Sequence, residues 1–121
     1  MREILFRGKR ERIGDFVFGD LEHNGDIDVR ICGWIVCPST VGQYTGLTDK
    51  NGIDIFEGDV VMAKRYELEK RKRMSVMWDI HYCGFYLSYK CKDKAWTASE
   101  NIRNFISIEV VGNIHDNTVF L

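Results

Sequence analysis

The sequence lacks any apolar run near the roughly 20 residues that a membrane-spanning helix needs. Its 121 residues contain a single proline, Pro38, and no Ser/Gly-rich linker or low-complexity segment. Neither sign of charge dominates, because 17 basic and 18 acidic side chains leave a formal net charge of -1. A global field that would recruit nucleic acid or an anionic membrane is therefore not expected. A length of 121 residues predicts one domain. The charged N-terminus, Met1–Arg7, does not fit a signal peptide, so we expect a cytoplasmic protein.

The four cysteines show no recognisable metal or redox spacing. They stand at positions 32, 37, 83 and 91, which matches neither a Cys-x-x-Cys motif nor paired zinc knuckles. Their neighbours are apolar or aromatic, so we predict buried, reduced thiols. The alternative is a zinc site that uses these cysteines with His81.

The histidines suggest no catalytic site either. No local motif joins His23, His81 or His115 to a nucleophile. Each is predicted to be a surface residue or a hydrogen-bonded core residue. We therefore expect a protein that is not an enzyme and that needs no cofactor.

A glycine-rich segment, residues 41–60, is the part of the chain that most resembles a ligand-binding loop. No glycine in it precedes the Lys-Ser or Lys-Thr pair of a phosphate-binding loop. An EF-hand beginning at Asp49 fails, because its fifth position is Ile53 and its twelfth is Val60. The glycines therefore predict turns, with a hairpin at Asn51–Gly52 and a sharp corner at Gly58. The alternative is a weak cation site formed by Asp49, Asp54 and Asp59.

The remaining pattern predicts a mainly β protein. Short runs rich in Val, Ile, Phe, Tyr and Trp are separated by eleven glycines. Asn24–Gly25 lies between two such runs and predicts a tight hairpin. The one helical signal is residues 97–105, where Thr97 and Glu100 form a capping-box pattern and Ile102 would face the core. We predict one short helix near 98–105.

A basic hairpin, residues 64–73, is the most prominent charge feature. Six cations lie close together, diluted by Glu67 and Glu69. They could neutralise several phosphates, which predicts salt-dependent nucleic-acid binding. The alternative is a solvated hairpin whose charges prevent edge strands from pairing. The possible contact residues are Lys64, Arg65, Lys70, Arg71, Lys72 and Arg73.

Aromatic residues cluster after the basic hairpin. Alternate residues of a strand point to opposite faces, so some of these rings could line a binding face while the others enter the core. The residues concerned are Trp78, Tyr82, Phe85, Tyr86, Tyr89 and Trp96.

Several segments resemble the YopX-like proteins of bacteriophages and prophages. The central one is Thr-Gly-Leu-Thr-Asp-Lys-Asn-Gly-Ile-Asp-Ile-Phe-Glu-Gly-Asp-Val within residues 40–61, and the closing one is Val-Gly-Asn-Ile within residues 109–117. Shorter matches lie in residues 1–8 and 19–21, so the resemblance spans the chain. Residues 64–105 carry no matching motif, and Thr118 stands where the family commonly has proline.

The resemblance implies a fold and a class of function but no site residues. It implies a small, β-rich, phage-encoded protein with a barrel-like C-terminal half that assembles into oligomers, without an established catalytic activity. We predict one compact unit, residues 1–121. Its parts are a β-hairpin layer at 1–46, a turn-rich connector at 47–58 and a small SH3-like β-barrel at 57–121.

Two functions follow from this reading. The first is a non-enzymatic interaction protein of a phage or prophage, acting in the bacterial cytoplasm and forming a homo-oligomer. It would also bind a host or phage protein, because an oligomer or partner would cover edge strands and surplus aromatic side chains. The second is a nucleic-acid-binding module that uses the basic hairpin.

Overall fold

Antiparallel strands make up most of the fold, which confirms the mainly β prediction. The computed structural model describes residues 4–25, 27–81, 83–90 and 97–116. Two 3₁₀ turns, Pro38–Thr40 and Ile102–Asn104, are the helical segments of these residues, and neither is long enough to cross a bilayer. The strands, in chain order, are β1 Phe6–Lys9, β2 Phe16–Gly19, β3 Leu21–Asn24, β4 Asp28–Ile31, β5 Trp34–Ile35, β6 Gly42–Thr48, β7 Asp54–Phe56, β8 Asp59–Lys64, β9 Lys72–Asp79, β10 Gly84–Lys90, β11 Thr97–Asn101 and β12 Ser107–Asn113.

The described strands form three sheets. A four-stranded sheet has the order β2-β1-β6-β7, and a three-stranded sheet has the order β3-β4-β5. A five-stranded sheet has the order β11-β10-β9-β8-β12. Every neighbouring pair is antiparallel. The first strand of the five-stranded sheet, β8, therefore lies between β9 and the last strand, β12.

Both predicted tight hairpins are present. Strands β3 and β4 pair up to Asn24 and Asp28, and Gly25 between them has a φ of 58°. In strands β6 and β7, Tyr44 pairs with Phe56 and Thr48 pairs with Asp54. Gly52 in their turn has a φ of 79°. Glycine suits both positions because positive φ is costly for residues with a Cβ atom.

The main core lies on one face of the five-stranded sheet. Val61 pairs with Met74, and Val76 pairs with Leu87, so these four buried side chains share a face. Ile55 of β7 completes the buried cluster from the other sheet. Alternation along each strand leaves the opposite face more polar.

A closed SH3-like barrel is not confirmed. Strands β11 and β12 are the two edges of the five-stranded sheet, and no pairing joins them among the described residues. Barrel closure depends on strand tilt and stagger, which are properties of the whole sheet. A local pattern such as Glu-Gly-Asp-Val-Val does not encode them.

The predicted helix near 98–105 is wrong. Residues 97–101 form β11, which pairs with β10 from Tyr86 to Lys90, and only the 3₁₀ turn follows. The capping-box pattern was overridden because the neighbouring strand supplies ladder hydrogen bonds along the whole segment. The prediction that Ile102 faces the core is correct, since it is 5% exposed.

The glycine-rich segment joins the sheets through a carboxylate. Asp49 accepts backbone N–H bonds from Asn51 at 2.8 Å, Ile53 at 2.9 Å and Val110 at 2.9 Å. The first two hold the β6–β7 turn, and the third covers part of the outer edge of β12. Burial alone would raise the pKa of Asp49, but the three N–H groups lower it below its ordinary value.

The division of the chain at 1–46, 47–58 and 57–121 stays a prediction. Strand β6 runs across its first boundary.

A buried ion pair connects β1 to β8. Arg7 Nη2 lies 2.7 Å from Asp59 Oδ1, at an angle outside hydrogen-bond geometry. The Arg7 guanidinium lies 4.5 Å from the Phe16 ring centroid and 4.9 Å from that of Phe56. Burial raises the pKa of Asp59, against the smaller, opposite effect of Arg7.

His115 packs beside this ion pair. Its ring meets the Phe16 ring edge-on, with centroids 6.4 Å apart, and an added Cβ on Gly58 would lie 3.3 Å from its Nε2. Burial lowers the pKa of His115, and the nearby charges of Arg7 and Lys9 lower it further.

Candidate interaction surface

The basic hairpin holds most of its described cations in internal contacts. Lys64 Nζ lies 3.6 Å from a Glu67 carboxylate oxygen and bonds the Glu67 carbonyl at 3.1 Å. Arg65 contacts Glu69 at 3.0 Å and Glu100 at 3.3 Å. These carboxylates reduce the charge that this end of the hairpin offers to a phosphate.

The second half of the hairpin is also partly neutralised. Arg71 Nη1 lies 3.0 Å from Glu109 Oε2, which Lys50 also contacts at 3.0 Å. Lys50 and then Arg71 hold the pKa of Glu109 below its ordinary range. Lys72 Nζ lies 5.2 Å from the Tyr89 ring centroid. Lys70 is exposed and has no partner among the described residues.

The predicted aromatic face divides between core and surface. Trp78 is 39% exposed and stacks edge-on against Phe85, with ring centroids 4.9 Å apart. Tyr89 packs partly buried against the main core, and Tyr86 is half-buried. Tyr82 and Trp96 lie outside the described residues.

An exposed aromatic site that the sequence analysis missed lies around β5. Trp34 is 51% exposed, and the Arg10 guanidinium lies 4.4 Å from its ring centroid. Arg10 in turn donates to Asp15 at 2.6 Å and 2.7 Å through two nitrogens. We call this recess of about 400 Å³ the Trp34 surface; it is lined by Arg10, Arg12, Ile13, Arg30, Trp34 and Ile35.

The Trp34 surface is positioned by a two-residue turn. Cys32 and Gly33 have φ angles of 51° and 79°, the signs required by the tight turns that match strand twist. Ile31 pairs with Trp34, so the buried Ile31 side chain anchors the strand opposite. The sequence signal was the Cys-Gly-Trp-Ile run, which predicts a turn but not the exposure of Trp34.

Charges of both signs surround the Trp34 surface. Arg30 donates to Asp28 at 3.1 Å and 3.2 Å, as Arg10 does to Asp15. Hydrogen bonds to Arg10 lower the pKa of Asp15. Arg12 has no partner among the described residues. The cations are thus close to balanced by Asp15, Asp28 and the neighbouring Glu11.

Residues 9–121 match a family model described as YopX protein. The chain belongs to the YopX family. This confirms the family resemblance seen in the sequence.

The YopX-family fold also occurs in a solved structure. The chain is similar to protein EF1440 from Enterococcus faecalis, with a TM-score of 0.55 and 19% sequence identity. The alignment covers 98% of this chain and 97% of the EF1440 chain. At this identity the similarity shows the fold alone. No curated protein matches the chain significantly.

The cysteines of this YopX-family chain are free thiols where the structure describes them, but the predicted burial is wrong for two. Cys32 and Cys83 are exposed, and Cys37 is half-buried. Both exposed cysteines have positive φ, at 51° and 50°, because they occupy turns between strands. Cys91 lies outside the described residues.

The alternative metal sites gain no support within the described residues. No group of three or more His, Cys, Asp or Glu side chains there is arranged to hold a metal ion. Among the three aspartates considered, Asp49 is occupied by three N–H groups, and Asp59 by Arg7 and the Phe56 N–H. Asp54 is exposed. His23 and His81 are exposed, and His115 is half-buried.

Proposed function

We propose that this YopX-family chain is a non-enzymatic interaction protein of a phage or prophage that self-associates through the Trp34 surface in the cytoplasm of its bacterial host. The observation that carries the proposal is a half-exposed tryptophan held in place by Arg10. Tryptophan and arginine are the residues most enriched among those that dominate binding energy at protein interfaces.

Rigidity of the anchor supports this role. The Trp34 ring lies against the Arg10 guanidinium, which is fixed by two hydrogen bonds to Asp15. A side chain that is already ordered loses less conformational entropy on binding. Ile13 and Ile35, at 63% and 38% exposed, add apolar area to the same surface.

Charge balance favours a second copy as the occupant. In a two-fold symmetric dimer the same patch is present on both subunits, so it must be complementary to itself. A patch of one sign would repel its copy, whereas Arg30 beside Asp28 and Arg10 beside Asp15 offer both signs. The basic hairpin carries an excess of cations and suits self-association less well.

Sedimentation velocity tests the proposal. We expect a dissociation constant near 1 µM, which corresponds to about 8 kcal/mol. The wild-type chain should therefore sediment as an oligomer at about 10–100 µM. Trp34→Ser should shift it toward monomer. Leu68→Ser, a matched change at a side chain that is 94% exposed on the basic hairpin, should leave assembly intact. A wild-type monomer throughout this range would contradict the proposal.

A second candidate function is nucleic-acid binding by the basic hairpin. Two features favour it: Lys70 is uncommitted among the described residues, and Tyr66 beside the cations is 58% exposed. An exposed ring could stack on a base while the cations follow the backbone.

A further inference from the structure

A groove lies between the four-stranded and five-stranded sheets, away from the Trp34 surface. It has a volume of about 540 Å³, and its walls come from β6, the β9–β10 turn and the start of the 3₁₀ turn at Ile102. We call it the Trp78 groove. The lining residues that matter here are Gly46, Leu47, Trp78, Phe85, Ile102 and Arg103.

The groove continues into a second recess. That recess has a volume of about 460 Å³ and shares Leu47, Ile102 and Arg103 with the first. Because they share three lining residues, the two recesses adjoin at the 3₁₀ turn, and we call the pair the trough. Small-molecule sites usually enclose most of their ligand, whereas adjoining open recesses suit an extended chain.

A bulge in β6 shapes one wall. The β6–β7 register shifts between Tyr44 and Thr48, and Gly46 has a φ of 85°. The Leu47 N–H is satisfied locally by the Thr45 hydroxyl at 3.2 Å. Bulges re-aim side chains and are frequent next to binding sites.

Part of the groove lining is apolar. It includes Ile102, which is 5% exposed. Trp78 and Phe85 stand beside it as the edge-on pair, with Trp78 still 39% exposed. An apolar side chain of a ligand could cover this area.

The uncompensated charge of the trough is positive. Arg103 lines both recesses and is exposed, and its guanidinium has no ion-pair partner among the described residues. Asp49, which lines the second recess, is occupied by three backbone N–H groups. Lys50 there is paired with Glu109. A carboxylate opposite Arg103 would form a charge-assisted hydrogen bond.

We propose that the Trp78 groove binds an extended peptide segment of a partner protein in which an aromatic or aliphatic residue adjoins an acidic one. The apolar side chain covers Trp78 and Phe85, and the carboxylate meets Arg103. The proposal does not depend on self-association, because the Trp34 surface lies on different strands.

Two synthetic peptides test the proposal by amide chemical-shift mapping of the full chain. The first is acetyl-Gly-Asp-Phe-Asp-Leu-Gly-amide, and the second replaces both aspartates by asparagine. We expect the acidic peptide to shift the amides of Gly46, Gly84 and Ile102 at about millimolar concentration. The asparagine peptide should bind about tenfold more weakly, because one charge-assisted bond is lost.

Matched variants identify the cation. Arg103→Glu should abolish binding and Arg103→Lys should keep most of it. Ile27→Glu, which adds a negative charge at a side chain that is 81% exposed outside the groove, should change nothing. Equal binding by Arg103→Glu and wild type would overturn the proposal, as would unshifted groove amides at saturating peptide. Phenylacetate binding as tightly as the acidic peptide would show a small-carboxylate site and would also overturn it.

Discussion

Arg7 and Asp59 form a buried ion pair 2.7 Å apart that joins the first strand of one sheet to the first strand of another. Their side chains are 9% and 2% exposed. The guanidinium lies close to two aromatic rings and has no hydrogen-bond acceptor for Nε among the described residues. Asp59 is therefore its main source of charge compensation.

Removing this carboxylate should destabilise the fold strongly. We expect Asp59→Asn to lower the free energy of unfolding by about 3 kcal/mol, because the buried Arg7 charge is left uncompensated. Urea denaturation measures this, with Asp54→Asn as the exposed control. Arg7→Met combined with Asp59→Asn should recover part of the loss. A loss below about 1 kcal/mol for Asp59→Asn would show that the rings and solvent suffice for Arg7.

The pair also bears on the pH dependence of stability through His115. The folded-state pKa of His115 is lowered from 6.5, by burial first and then by Arg7 and Lys9. As pH falls through about 6.5, the unfolded state therefore takes up a proton at His115 more readily than the folded state. Stability from neutral His115 is present above the unfolded pKa and is lost as pH falls toward the folded pKa. At lower pH, Asp59 contributes to the pH dependence of stability with the opposite sign, because its folded-state pKa is raised.

A histidine variant isolates this effect. We expect His115→Gln to lose less stability than wild type as pH falls from about 7.5 to about 5.5, the range in which an unperturbed histidine takes up its proton. Urea midpoints at several pH values measure the difference. Parallel curves for the two proteins would mean that His115 titrates normally.

Asp49 should stabilise both the β6–β7 turn and the edge of β12. We expect Asp49→Ala to cost about 2–4 kcal/mol, since three N–H groups lose an ionised acceptor. Hydrogen exchange should accelerate at Asn51, Ile53 and Val110 together. Exchange that accelerates only in the turn would show that the contact to β12 is dispensable.

Two glycines separate steric conflict from backbone strain. An alanine Cβ at Gly42 would overlap the Glu57 carbonyl oxygen, although φ there is ordinary. An alanine at Gly46 would meet open space but adopt a φ of 85°. We expect about 2–3 kcal/mol for Gly42→Ala and about 1 kcal/mol for Gly46→Ala in thermal unfolding. A larger loss of stability for Gly46→Ala than for Gly42→Ala would show that backbone strain in the β6 bulge is the stronger constraint.

The internal ion pairs of the basic hairpin should limit its affinity for nucleic acid. Fluorescence anisotropy with labelled DNA at several salt concentrations should give a log–log slope no steeper than about -2, because few cations are free to release counterions. Replacing Lys70, Arg71, Lys72 and Arg73 by Ser should change it little. A slope near -4 that these changes abolish would promote nucleic-acid binding to the leading function.

Local chemistry explains which parts of this fold could be predicted from the sequence. Gly25 and Gly52 each follow an asparagine and adopt positive φ in a turn, so both hairpins are visible in the sequence. Residues 97–101 were misread because a capping-box pattern says nothing about the strand that lies alongside. The pairing with β10 joins Tyr86 to Asn101, and sequence alone does not reveal that contact.

The candidate sites depend even more on distant residues. Arg65 meets Glu100 and Arg71 meets Glu109, so the apparent positive charge of the basic hairpin is reduced by carboxylates more than 30 residues away. The exposure of Trp34 and the Trp78 groove likewise arise from how the sheets meet. Composition and periodicity do not contain that information.

The position of β12 beside β8 has a consequence for how the protein is made. Asp59 pairs with Asn113, so β8 gains its neighbour β12 only when residues 107–113 have left the ribosome. Until then β8 and the Asp49 carboxylate face solvent without their strand partner, and the nascent chain carries an open edge of the kind that recruits other chains. This edge of β8 is therefore covered late in synthesis, when β12 has emerged and can pair with it.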